Sequence, residues 1–129
     1  MTTQSRQQTL EQRRAAQAWN QTERVDKMPN KKEYGSLVRG LPAMIQTDGL
    51  GQTLAFLKAK DKDEHRAAYN NLKEWLKIEF NFTEDLLPWI INQPSDVYRR
   101  VTSETQAYLL WLKRFAEAKG WKSEENGRG

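Results

Sequence analysis

The side chains best equipped for chemistry in this sequence are Asp61, Asp63, Glu64 and the only histidine, His65. A metal-dependent nuclease would need such oxygens converging on one divalent cation. Their spacing points elsewhere. Residues one and two apart on a helix do not face each other, and carboxylates gather at helix N-termini, where they complement the dipole. His65 falls on an apolar stripe with Ala68 and Tyr69, the setting of a packed histidine rather than a base or a ligand. Serine-based catalysis would need an acid holding His65, and no spacing supplies one. The absence of cysteine excludes disulfides, thiolate metal sites and a cysteine nucleophile. With no strand there is no Gly-rich phosphate loop of the strand-to-helix kind. The expectation is a protein with no catalytic residue, no metal and no cofactor.

Charge offers the second chemistry. The chain carries 21 Lys and Arg against 17 Asp and Glu, for a net +4. The excess is uneven: residues 1–60 hold ten basic and five acidic side chains, whereas residues 61–129 hold eleven and twelve. A basic half favours an anionic partner, and nucleic acid is the commonest inside a cell. The basic residues of the first two predicted helices are Arg13, Arg14, Arg24, Lys27, Lys31, Lys32 and Arg39. Lys27, Lys31 and Lys32 bracket a turn at Pro29. Arg99, Arg100, Lys113 and Arg114 add two basic pairs further along. No zinc-finger, basic-zipper or RNA-recognition signature accompanies them, so backbone tracking without base readout is the only nucleic-acid mode they support. The opposing expectation is a helical interaction module whose basic residues are merely solvated.

The run Tyr108–Leu112 is apolar nearly all round a helix, which means a central position in the bundle or cover by another protein. Leu110 and Trp111 point away from the core face, on the side assigned to Arg114 and Trp121. Trp111, Arg114 and Trp121 together have the Trp/Arg composition of interface anchors.

Helices must position all of these groups, because every strong period in the sequence is helical. Thr9 and Gln12 open a first helix with the stripe Ala15, Ala18, Trp19, Thr22, Val25. Asn30 and Glu33 suggest a second capping box, before Tyr34, Leu37, Val38, Leu41, Met44 and Ile45. Pro42 lies within that stripe and predicts a kink or a break. A short third helix carries Leu50, Leu54 and Leu57. Asp61 and Glu64 suggest a third box, opening a stripe of His65, Ala68, Tyr69, Leu72, Trp75 and Leu76. Thr83 opens a fifth element through Ile91. The last spans about Ser95 to Lys119, continuous or restarted near Thr102, and buries Tyr98, Val101, Thr105, Leu109, Leu112 and Ala116.

The expected fold is all-α: one compact bundle of five to seven helices over residues 9–121, with no sheet. Residues 1–8 and 122–129 are expected to be flexible. At 129 residues, with five Trp, four Tyr and four Phe, the chain has enough buriable surface for one core. Its longest apolar run is far short of the roughly 20 residues a membrane span needs, and the start lacks a secretory signal. A cytoplasmic protein is expected.

Two segments carry a family resemblance. Tyr34–Phe56, YGSLVRGLPAMIQTDGLGQTLAF, and Tyr98–Ala118, YRRVTSETQAYLLWLKRFAEA, resemble the small-subunit family of the type III-B CRISPR effector, the Cmr complex. Leu10–Ala15 and the start of the fourth helix fit the same pattern, so the likeness runs from about Leu10 to Ala118. It implies a non-catalytic, all-helical subunit in antiviral defence. Copies stack beside the backbone subunits, and the two filaments enclose guide and target RNA. The partners it implies are the backbone and large subunits, the two RNAs and further copies of itself. Under that reading Arg13, Arg14, Lys27, Lys31, Lys32 and Arg39 are the candidate RNA-binding residues, on charge clustering alone. Leu110, Trp111, Arg114 and Trp121 are the candidate partner interface.

Overall fold

Thr9 starts the first helix as its spacing predicts. Its Oγ1 accepts from the Gln12 N–H at 3.1 Å, while Gln12 Oε1 accepts from the Thr9 N–H at 2.8 Å. In the computed structural model, which describes residues 8–122, this helix is α1 (Leu10–Val25). It is followed by α2 (Lys31–Asp48), α3 (Leu50–Lys60), α4 (Asp63–Phe80), α5 (Leu86–Ile91) and α6 (Ser95–Ala118). No strand occurs among the described residues. The described residues are all-α, with six helices, inside the expected range. Apart from Gln8 and Lys122, the ends expected to be flexible lie outside the described residues.

The other two predicted capping boxes do not form. Asn30 precedes α2 but makes no side-chain cap; its Nδ2 donates to Glu64 on α4 at 2.9 Å. Asp61 takes the left-handed conformation, φ 54°, and ends α3 instead of opening α4. A short polar side chain tolerates that region locally. Asp85 caps α5, where its Oδ1 accepts from the Leu86 N–H at 2.9 Å, so the helix begins later than Thr83. Pro42 lies inside α2 without breaking it, and the apolar face Tyr34, Val38, Leu41, Ile45 stays buried. Helix α6 runs unbroken through Thr102 for 24 residues.

Helix α4 packs against all five of the others, and α6 against α1, α2, α4 and α5. Where these two central helices meet, Trp75 and Tyr108 stack with ring centroids 5.0 Å apart and planes 7° from parallel. All six residues of the predicted α4 stripe are buried. On α6 the core takes Tyr108, and leaves Tyr98 only half-buried. On α1 it takes Gln21, while Trp19 stays 43% exposed.

Two placements overturn expectations about the surface. Gly120, at φ +75°, ends α6 in a Schellman arrangement: its N–H bonds the Glu117 carbonyl and the Trp121 N–H the Ala116 carbonyl, each at 3.0 Å. The reversal turns Trp121 back into the core, 2% exposed and edge-on to Tyr34. It is therefore not a surface anchor. Arg14 is likewise drawn inward. Its Nε and Nη2 donate to the two carboxylate oxygens of Glu104 at 2.7 and 2.8 Å, a bidentate pair that the Trp75 indole N–H joins at 2.9 Å.

Trp121 closes directly on Gly35, where an added Cβ would lie 2.5 Å from Trp121 Cβ and closer still to its carbonyl oxygen. Gly35→Ala should therefore cost about 1–3 kcal/mol, the range for overpacked interiors. The expected readout is a lower urea midpoint at unchanged m-value, with Trp emission shifted toward that of exposed indole.

Burial raises the Glu104 carboxyl, but hydrogen bonds from Arg14 and Trp75 outweigh it and leave its pKa below the ordinary glutamate value. A depressed native pKa stabilises the fold above the unfolded value near 4.3, and that stability is lost as pH falls through the native one. Urea midpoints should thus decline below about pH 4.5. In Glu104→Gln this acid arm should flatten, and the neutral-pH stability should drop by about 2 kcal/mol as Arg14 loses its partner. An unchanged acid arm would show that Glu104 does not carry it.

Candidate nucleic-acid interface

The acidic cluster does not converge. Asp61 and Asp63 both pair with Arg66 at the start of α4, the first at 3.1 Å. Glu64 accepts from Asn30 and lies 3.4 Å from His65 Nδ1 without forming a hydrogen bond to it. His65 packs edge-on against Phe56 at 5.6 Å, and desolvation lowers its pKa despite the neighbouring Glu64. Among the described residues no three His, Asp or Glu side chains group where a metal would fit.

The six candidate RNA-binding residues separate into two kinds. Arg13 pairs with Glu79 of α4, Arg14 with Glu104 of α6 and Lys31 with Asp26, at 3.2 Å for the last. Their charges are already answered within the chain. Lys27 and Lys32 are exposed, with no ion-pair partner among the described residues. Among the described residues Arg39 has no ion-pair partner and makes a 3.3 Å hydrogen bond from Nη1 to the Trp121 carbonyl. Lys32 and Arg39 are seven residues apart, so they share one face of α2, about 10 Å apart along its axis.

Helix α6 adds to that face. Helices α2 and α6 pack side by side, and a groove between them is lined by Arg39, Pro42, Gln46, Gln106, Leu110 and Lys113. Gln106 spans it, its Nε2 donating to the Pro42 carbonyl at 3.0 Å. Lys113 has no ion-pair partner among the described residues. Arg39 also lines an adjoining cleft with Lys122. Side chains from positions 39, 106 and 113 meet here because α2 and α6 lie against each other, not because they are close in sequence. The seven-residue spacing of Lys32 and Arg39, and again of Gln106 and Lys113, is the signal in the sequence; counting charges passes over it.

The four candidate interface residues also part company. Trp121 is core. Leu110, 48% exposed, belongs to the α2–α6 groove. Trp111 turns toward α1, where its indole N–H donates to Glu11 at 2.7 Å. Phe115 sits between Trp111 at 5.5 Å and Trp19 at 5.1 Å, so these three rings form an aromatic ridge on the α1 side of α6. Arg114 is exposed and pairs with Glu117 at 3.2 Å. Periodicity alone places Trp19 in the core stripe of α1, which is why the residue types of the interface do not single it out.

Among the described residues no helix is long and apolar enough to cross a membrane. Comparison with known proteins agrees with this all-helical arrangement. Residues 10–119 match the family model of CRISPR-associated protein (Cas_Cmr5). The CRISPR system Cmr subunit Cmr5 of Thermus thermophilus is 30% identical over 104 residues, which cover 81% of this chain and 90% of that protein. The crystal structure of a CRISPR-associated Cmr5 family protein, also from Thermus thermophilus, superposes with a TM-score of 0.77 at 30% identity, covering 87% of this chain and 97% of that one. With the same all-helical architecture and a family match along nearly its whole described length, the chain belongs to the Cmr5 family, the small subunits of the type III-B CRISPR effector.

Proposed function

We propose that the chain is a non-catalytic structural subunit that stacks beside the backbone subunits of the Cmr complex and stabilises guide and target RNA from the α2–α6 face. The observation that carries this reading is the grouping of Arg39 and Lys113 in one groove, both without carboxylate partners among the described residues. Lys32 continues the same face of α2, and Lys27 lies exposed at the α1–α2 corner. Unpaired cations on a fixed scaffold suit phosphate contacts, which position a strand without reading it. In an RNA-guided assembly base pairing supplies the sequence specificity, so shape and charge suffice for the protein.

The aromatic ridge favours a protein-facing role for the α1 side. Trp19, Trp111 and Phe115 are the kind of clustered rings that anchor interfaces. A helical interaction module with no nucleic-acid contact would keep this ridge and have no use for the groove.

Replacing Lys27, Lys32, Arg39 and Lys113 together by Ala separates these readings. In the assembled complex, target-RNA binding should weaken, and the salt slope should fall by about 0.7 for each phosphate that is no longer neutralised. Unchanged affinity at several salt concentrations would remove the RNA role. The W19A/W111A variant should instead reduce co-purification with the other effector subunits, by at least about tenfold in affinity. Full retention in the complex would exclude the ridge as an interface.

A further inference from the structure

Arg99 and Arg100 are exposed charges that the groove does not use, and neither has a carboxylate within ion-pair distance among the described residues. They rim a cleft of about 660 Å³ between α1, the end of α4 and the first half of α6. Phe80 contributes an aromatic ring, half-buried against the core. The Arg14–Glu104 pair forms another wall and adds no net charge, because each group satisfies the other. Asp96 offsets one of the two rim guanidiniums, and Ser103 adds a hydroxyl. The rim stays net positive.

An aromatic face beside free guanidiniums is the composition of a single-strand nucleic-acid site: the ring takes a base and the guanidiniums take phosphates. A duplex would keep its bases stacked and out of reach of Phe80. Two residues of the cleft, Arg99 and Ser103, also continue the α6 edge of the α2–α6 groove. Arg99, Ser103, Gln106, Leu110 and Lys113 follow an i, i+4, i+7, i+11, i+14 pattern, so they form one stripe along α6. From Arg99 to Lys113 it extends about 21 Å, at 1.5 Å per residue.

We infer that this stripe is a track for one single strand of RNA, held at one end by Arg39 and Lys113 and at the other by Arg99 and Arg100, with Phe80 as the platform for an unstacked base. The inference rests on the reading that the groove takes RNA phosphates, and adds a second anchor and a base contact to it.

The test titrates the full chain into labelled oligo(A) RNA, by fluorescence anisotropy at several salt concentrations. R99A/R100A should lower the salt slope by about 1.4, as should R39A/K113A, at about 0.7 per phosphate. Phe80→Leu should weaken oligo(A) binding about fivefold or more with the slope unchanged. It should leave binding of inorganic polyphosphate, which has no bases, where it was. If R39A/K113A acts while R99A/R100A is silent, the track is wrong and the groove stands. If R39A/K113A is silent, the groove reading itself fails. Equal losses for oligo(A) and polyphosphate in Phe80→Leu would make the ring structural and remove the platform. Circular dichroism checks that variant's fold, and Phe80→Tyr, which keeps the ring, should bind as the parent does.

Discussion

One buried amide holds the helices in register. Gln21 of α1 is fully buried, and its Oε1 accepts from the Tyr108 hydroxyl of α6 at 2.5 Å. Its Nε2 donates to two acceptors on α4, the Asn71 carbonyl at 3.0 Å and the Glu74 carboxylate at 2.9 Å. Asn71 in turn donates from Nδ2 to the Tyr34 hydroxyl of α2 at 2.6 Å. Four helices thus meet through polar groups packed in the interior. Leaving any of them unpaired would cost on the order of 1–3 kcal/mol, whereas an apolar core alone tolerates small slips. Burial also pushes the Tyr34 and Tyr108 phenols well above their ordinary range, so both remain protonated at neutral pH. The relay therefore stays intact across that range and holds α2 and α6 side by side. The groove between them is built on helices rather than on a loop, so the charges that line it sit at fixed spacing.

Most of the bundle was legible because its apolar residues recur at helical spacing. The α4 stripe and most of the α2 stripe are buried as read, since period alone decides which face turns inward. What period cannot see is a polar residue in the core. Gln21 lies outside the α1 stripe read from the sequence, and the partners brought by α4 and α6 make its burial tolerable. Trp19 and Trp121 show the same limit in reverse. Trp19 fits the α1 stripe but sits at its edge, whereas Trp121 lies beyond the helix and is redirected by the left-handed turn at Gly120. Capping boxes fared by chemistry. Thr9 and Gln12 satisfy each other, while Asn30 reaches Glu64 across to another helix and Asp61 is taken up in ending α3.

The candidate site was legible only in outline, and the reason is electrostatic. Local charge counting groups Arg13 and Arg14 with the other basic residues of the first two helices. Their counterions come from 66 and 90 residues away, Glu79 and Glu104, and the counting cannot register them. Neutralisation by folding is what separates these arginines from Lys32, Arg39 and Lys113. The total of positive charge says little about an anion site; the fraction left unpaired by the fold says much more.

The same logic explains why the run Tyr108–Leu112 is apolar all round. Tyr108, Leu109 and Leu112 are core, Leu110 faces the α2 groove and Trp111 faces α1. Neighbouring residues on a helix diverge by about 100°, so three distinct surfaces emerge from this short run. A body that covers Trp111 on the α1 side need not cover Leu110 on the α2 side. One 24-residue helix can therefore be buried along one face while it offers an aromatic flank and a basic, polar flank in two directions at once. That division leaves the two flanks free of each other's side chains, so a body covering one need not displace a body covering the other.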